Sequence, residues 1–150
     1  MMRNRLHTWG IVLAGGDGTR LKDLTTTASG QVIPKQFCSF HSRRCLLDDA
    51  ISRAAKVALP QNICSVVNAK HRGWWPESFR TMPPQNVLVQ PSNCGTAHGI
   101  LFALLQIEAR APDSIVVMLP ADHYVQNEAS MARALRVATN LAAIPTSYMY

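Results

Sequence analysis

The sequence predicts an α/β fold: a Rossmann-like, three-layer sandwich around a mostly parallel sheet. Three observations carry this. Four short β-branched or aliphatic runs are continuous in apolar character rather than alternating, which suggests strands buried on both faces. Stretches with apolar residues at helical spacing lie between them. Strand and helix signals therefore alternate, which implies parallel strands joined by right-handed crossovers.

The first run covers residues 10–14, Gly-Ile-Val-Leu-Ala. Arginines at positions 3 and 5 give the segment before it a superficial likeness to a secretory signal. The apolar stretch is brief, however, and runs straight into Gly15-Gly16-Asp17-Gly18-Thr19-Arg20 with no small-residue cleavage site, so a buried strand is expected. Residues 46–59 follow as a helix, with Leu47, Ala50, Ile51, Ala54 and Ala58 facing the sheet. Residues 63–68 form the second strand. Residues 69–80 carry a weak helical pattern that Trp74-Trp75-Pro76 interrupts, which predicts a short or irregular helix. Residues 86–90 are the third strand. Residues 97–109 are apolar nearly all round, which predicts a buried helix. Residues 114–119 are the fourth strand. Residues 130–142 are amphipathic through Met131, Ala134, Leu135, Ala138 and Leu141. The segment after them, residues 144–150, has no strand signal, so no fifth strand–helix unit is expected.

At 150 residues the chain is one domain's worth, and its 47% hydrophobic and 16% charged content is that of a globular protein rather than a disordered one. No apolar run approaches the ~20 residues of a membrane-spanning helix, so no membrane partner is expected. Cys38, Cys45, Cys64 and Cys94 form no CxxC pair and no zinc-like spacing, which predicts reduced thiols and a cytoplasmic setting. The net charge of +6 suits anionic ligands. The 15 basic residues are scattered and not interleaved with aromatics, so nucleic acid is not expected as a partner.

The glycine-rich turn after the first strand is the main chemical signal. Glycines let backbone approach a ligand closely, and successive N–H groups can form an anion-binding concavity. Arg20 adds a permanent cation with a fork suited to phosphate. Leu13, Ala14, Gly15, Gly16, Gly18 and Thr19 are therefore candidate nucleotide-binding residues. The P-loop pattern is absent, and GxGxxG fails because Leu21 stands where the third glycine belongs. A Gly-Gly-Asp-Gly-Thr string also occurs in NAD kinases and diacylglycerol kinases, where the aspartate is catalytic and binds metal. The loop alone does not separate the two readings.

Three further motifs do. Residues 13–21 are followed by Ile33-Pro34-Lys35-Gln36-Phe37, then Gln90-Pro91-Ser92-Asn93-Cys94-Gly95-Thr96-Ala97, then Leu119-Pro120-Ala121-Asp122-His123. In this order, over about residues 9–125, the chain resembles the sugar-1-phosphate nucleotidyltransferases, and most of all the mannose-1-phosphate guanylyltransferases. Pro34 stiffens the loop carrying Lys35, whose ammonium can neutralise a phosphate during transfer. Gln90 and Asp122 end strands at the sheet's carboxyl edge, where α/β proteins bind ligands. A carboxylate there, with no obvious local cationic partner, suits Mg2+ among phosphates. Thr96 falls near a helix start, where capping is its ordinary role.

The resemblance implies a nucleoside triphosphate, expected to be GTP, and a hexose 1-phosphate, expected to be mannose 1-phosphate, as substrates, with Mg2+ as cofactor; it is compatible with a homo-oligomer. It implies Arg20, Lys35 and Asp122 as catalytic residues, Asp122 also as metal ligand, and Gln90 with the Gly95 backbone at the base edge, beside Thr96. The chain departs from the pattern at Cys94, where relatives usually carry an arginine, and at His98, where proline is common. The family's sugar-binding segment and second metal-binding aspartate are not expected among these residues. The resemblance therefore implies the N-terminal, nucleotide-binding part of an incomplete nucleotidyl transferase domain. Alternatives are a catalytically inactive nucleotide-binding fragment and, third, a small-molecule kinase of the Gly-Gly-Asp-Gly-Thr kind.

Overall fold

The computed structural model describes residues 7–18, 21–40 and 43–144. Its sheet contains β1 (Thr8–Ala14), β2 (Ile63–Asn68), β3 (Val87–Gln90) and β4 (Ile115–Pro120). The spatial order is β3-β2-β1-β4, and every neighbouring pair is parallel. The chain builds outward from β1 through β2 to β3, then returns to the other side of β1. That reversal puts a topological switch point between β1 and β4, where open α/β sheets bind ligands outside their strands' carboxyl ends.

The helices are α1 (Lys22–Thr25), α2 (Leu46–Ala54), α3 (Ser78–Thr81), α4 (Thr96–Glu108) and α5 (Glu128–Ala142). Alternation along β1 divides the core in two. Val12 and Ala14 join Leu47, Ala50 and Ala54 of α2 and Leu119 of β4, with Met131 and Leu135 of α5 packed against them. Trp9 and Ile11 face the other way, onto Cys64, Val66, Leu88 and the α4 residues Ala103 and Ile107. The result is the three-layer sandwich, with α2 and α5 on one face and α4 on the other. Fully burying a Val, Leu or Ile side chain contributes about 1.5–3 kcal/mol, so these two clusters dominate the stability.

Arg53 breaks the apolar stripe of α2, and its side chain is only 2% exposed. It is satisfied by Glu128, the first residue of α5, through Nη2 to Oε1 at 2.6 Å and Nε to Oε2 at 3.2 Å. The fork fixes α5 against α2. Asn127 caps α5, accepting from the Ser130 backbone N–H at 2.9 Å.

Some elements differ from the sequence expectation. The helix expected over 46–59 ends as a regular helix at Ala54, and the chain turns while keeping Val57 and Ala58 buried. The stretch at 69–80 is short and irregular, as expected: a 3-10 helix, Ala69–Trp74, followed after Trp75-Pro76 by the single turn α3. The α4 helix is not buried on all sides. Gly99, Ala103 and Ile107 are buried and Phe102 and Leu104 pack partly against the same cluster, while Leu101 and Leu105 are 56% and 59% exposed, because no described element covers their side. In α5 the inward residues are Met131, Ala132, Leu135 and Thr139, and Ala134, Ala138 and Leu141 face outward. Met131, Leu135 and the Arg53–Glu128 fork set the rotation of α5. Alanines have too little area to do so.

Candidate active site

A cavity of about 350 Å³ opens at the carboxyl edge of the sheet. Its walls come from four segments far apart in sequence: the glycine-rich loop after β1, the Lys35 loop, the β3–α4 connection and the end of β4.

The glycine-rich loop is held by Gln36. This side chain is buried, and its Nε2 donates to the carbonyls of Ala14 at 2.8 Å and Gly16 at 3.0 Å. Gly18 takes φ +63°, and a Cβ there would lie 3.3 Å from the Lys35 backbone nitrogen, so this position excludes a side chain on two grounds. Lys35 begins a 3-10 turn, Lys35–Phe37, preset by Pro34 at φ −60°. Phe37 is anchored in the core. The expected stiffness of this loop thus has a physical basis in Pro34, Gln36 and Phe37.

Lys35 and Asp122 face each other across the cavity, with Nζ 3.3 Å from Oδ2. No local cation serves Asp122, as expected; its partner comes from 87 residues earlier. Asp122 is set by an extension of the sheet ladder, in which the Ala121 N–H donates to the Leu13 carbonyl at 3.1 Å. Both side chains remain partly exposed to the cavity, at 26% and 42%.

Gln90, the last residue of β3, is buried in the cavity floor. Its amide sits in a slot between two glycines. A Cβ at Gly15 would come within 3.1 Å of Gln90 Oε1, and one at Gly99 within 3.6 Å of its amide. Gly95 is the N-cap of α4, at φ +90°, with no side-chain cap hydrogen bond, so Thr96 opens the helix without capping it. The N-terminus of this 13-residue helix borders the cavity and offers N–H groups and a positive dipole end.

Of the sequence-predicted residues, Leu13, Ala14, Gly15, Gly16, Gly18, Lys35, Gln90, Gly95, Thr96 and Asp122 all line this one cavity. Thr19 and Arg20 lie outside the described residues. His123 turns instead to an adjoining hollow, together with Tyr124 and Phe40. Cys94 and His98 are exposed beside the α4 N-terminus. Gln36 was missed by the sequence reading. Its signal was its place in the Pro-Lys-Gln-Phe string, but its partners are backbone carbonyls, which leave no trace in sequence.

Among the described residues, no group of three or more His, Cys, Asp or Glu side chains could hold a metal ion. The described residues alone do not build a metal cage. A single hard carboxylate facing a cavity is nonetheless the donor that Mg2+ uses when phosphate oxygens and water complete its octahedron, so Asp122 fits that ion.

Residues 9–149 match the model of the Nucleotidyl transferase family. The chain belongs to that family. The chain is 33% identical over 134 residues to the xanthan biosynthesis protein XanB of Xanthomonas campestris pv. campestris (strain B100), an alignment covering 88% of the chain and 28% of XanB. It is 31% identical over 136 residues to a mannose-1-phosphate guanylyltransferase of Escherichia coli, covering 88% of the chain and 27% of that enzyme. The crystal structure of mannose-1-phosphate geranyltransferase from Thermus thermophilus superposes with a TM-score of 0.69 at 23% identity, covering 92% of the chain and 39% of the other, which supports the fold. The nucleotidyl transferase chain thus spans little more than a quarter of the length of the two sequence relatives. No described helix is long and apolar enough to cross a membrane.

Proposed function

We propose that this nucleotidyl transferase chain binds GTP and carries the nucleotide side of guanylyl transfer to mannose 1-phosphate, giving GDP-mannose and pyrophosphate. The observation that carries the reading is the Lys35–Asp122 pair, 3.3 Å apart, set over the glycine-rich loop at the β1/β4 switch point. Similarity to a mannose-1-phosphate guanylyltransferase favours guanine as the base and mannose as the sugar.

In this reaction a sugar-phosphate oxygen attacks the α-phosphorus while the bond to pyrophosphate breaks, so the site supplies position and charge rather than covalent chemistry. The glycine-rich loop would carry the β- and γ-phosphates on its backbone N–H groups, and Arg20 would hold the departing pyrophosphate. Lys35 would leave Asp122 for the reacting phosphate. Asp122 would then hold Mg2+ with the phosphate oxygens, and the bound ion would neutralise charge on the triphosphate. The Gln90 amide, kept clear by Gly15 and Gly99, would meet the base edge with the Gly95 backbone and Thr96. The four free cysteines accord with a reducing, cytoplasmic setting.

A second reading, nucleotide binding without turnover, is favoured by Cys94, exposed beside the α4 N-terminus where the guanylyltransferases usually carry an arginine. Equilibrium binding and product analysis on one sample separate the readings. Guanylyl transfer requires one GTP·Mg2+ per chain and pyrophosphate released only when mannose 1-phosphate is added. Saturable binding with no pyrophosphate supports the second reading. Transfer of the γ-phosphate, leaving a nucleoside diphosphate, rejects both in favour of a kinase.

A further inference from the structure

Asp17 is the one acidic residue of the glycine-rich loop, and a carboxylate is a poor neighbour for a triphosphate. Like charges a few ångströms apart repel, so its presence calls for a use. Its side chain does not line the cavity. One oxygen, Oδ2, accepts from Asn93 Nδ2 at 3.1 Å, and the other, Oδ1, lies 3.5 Å from His71 Nε2. Asp17 therefore joins three separate segments: the loop after β1, the β3–α4 connection and the 3-10 helix after β2.

Both partners are themselves held. The Oδ1 of Asn93 accepts from the Gly95 N–H at 3.0 Å, which orients the amide so that its NH2 points at Asp17. Gly95 in turn sets the start of α4. His71 is buried, with its ring edge-on to Phe37 at 6.0 Å between centroids. Its Nδ1 has no partner, so the neutral tautomer carrying its proton on Nε2, facing Asp17, leaves only an acceptor unsatisfied. Burial lowers the pKa of His71, which favours that neutral form, although Asp17 opposes the shift. Gln36 holds the inner side of the glycine-rich loop through Ala14 and Gly16; Asp17 holds its outer side.

We propose that Asp17 is a positioning residue. Its carboxylate clamps the glycine-rich loop to Asn93 and His71 and so sets the spacing between the phosphate-binding loop and the α4 N-terminus. This deepens the nucleotide-binding reading and rests on it for its consequence, but not for the clamp itself. It also gives the Gly-Gly-Asp-Gly-Thr string a role unlike that in the kinases: the aspartate is turned toward protein rather than toward phosphate or metal.

Asp17→Ala and Asp17→Asn test this together. Both remove the same charge, but asparagine can still accept from Asn93 and can pair with His71 after a tautomer change. Two measurements are made on the intact chain. Without nucleotide, amide hydrogen exchange at residues 15–18 and 92–95 should rise several-fold in Asp17→Ala and stay near wild type in Asp17→Asn. With GTP·Mg2+, Asp17→Ala should bind about tenfold more weakly than Asp17→Asn, the ratio expected for one net hydrogen bond. Equal exchange in the two variants overturns the clamp, whatever the nucleotide result. Asparagine as damaging as alanine in binding would show that the carboxylate itself is needed, as in a metal ligand, and would also overturn it. If exchange behaves as expected while wild-type chain fails to bind GTP·Mg2+, the clamp stands and the nucleotide reading falls.

Discussion

The ammonium of Lys35 lies 3.3 Å from the carboxylate of Asp122, although 87 residues separate them. Proximity follows from strand order: β4 returns to lie beside β1, and the Lys35 loop is tied to the end of β1 by Gln36. A partly exposed cation and anion placed together in a cavity beside an uncapped helix N-terminus form a pair poised to separate when a polyanion and its counter-cation arrive.

Lys35→Ala is expected to change stability by under about 1 kcal/mol, because both side chains are solvated and such pairs contribute little. GTP affinity should fall at least about tenfold, in line with the charge-assisted hydrogen bond it removes. Urea denaturation and calorimetric titration of the same variant check the two halves. A large stability loss with unchanged affinity would make Lys35 structural.

Gln36→Ala should behave in the opposite way, losing stability as well as binding. It leaves the Ala14 and Gly16 carbonyls without their donor, a cost of about 1–3 kcal/mol for buried groups. The shift in urea midpoint at constant slope reads it directly.

Glu128→Ala strands the Arg53 guanidinium, which is almost wholly buried. A loss of roughly 2–3 kcal/mol is expected, below the ~3–5 kcal/mol of a fully buried pair because Glu128 is half exposed. Arg53→Met, which removes the charge and keeps the volume, should be close to neutral. Thermal unfolding of the two variants tests the contrast, and equal losses would contradict it.

Thiol labelling offers a probe of the cavity rim. Burial pushes the Cys64 thiol up to about 12 and Cys45 to about 11, and raises Cys38 as well, so these three should be inert at pH 8 in the folded protein. Cys94 is exposed between Asn93 and Gly95, which line the cavity. One thiol per chain should react, and saturating GTP·Mg2+ should slow it. Labelling of Cys64 without denaturant would contradict the packing described.

β1 was legible because a strand buried on both faces reads as a continuous apolar run; β4, with Met118 45% exposed, is less enclosed than the same reading implied. The order of the strands was not legible, and with it the meeting of Lys35 and Asp122. Motif order made that meeting an expectation, but local sequence around Asp122 pointed to no partner at all. The exposure of Leu101 and Leu105 depends on what covers α4, which the helix's own residues do not encode. The rotation of α5 was misjudged because alanines were counted equally with Met131 and Leu135. Arg53 was the unused signal: a charge on the buried stripe of α2 demands an opposite charge nearby, and Glu128 supplies it.

The most direct test of the nucleotide site measures GTP affinity with and without Mg2+ in the wild-type chain and in Asp122→Asn. Wild-type chain should bind GTP more tightly when Mg2+ is present, and Asp122→Asn should lose that enhancement while remaining folded. The same Mg2+ enhancement in both proteins would contradict the role given to Asp122, and with it the convergence of loop, lysine and carboxylate on one metal-bound triphosphate.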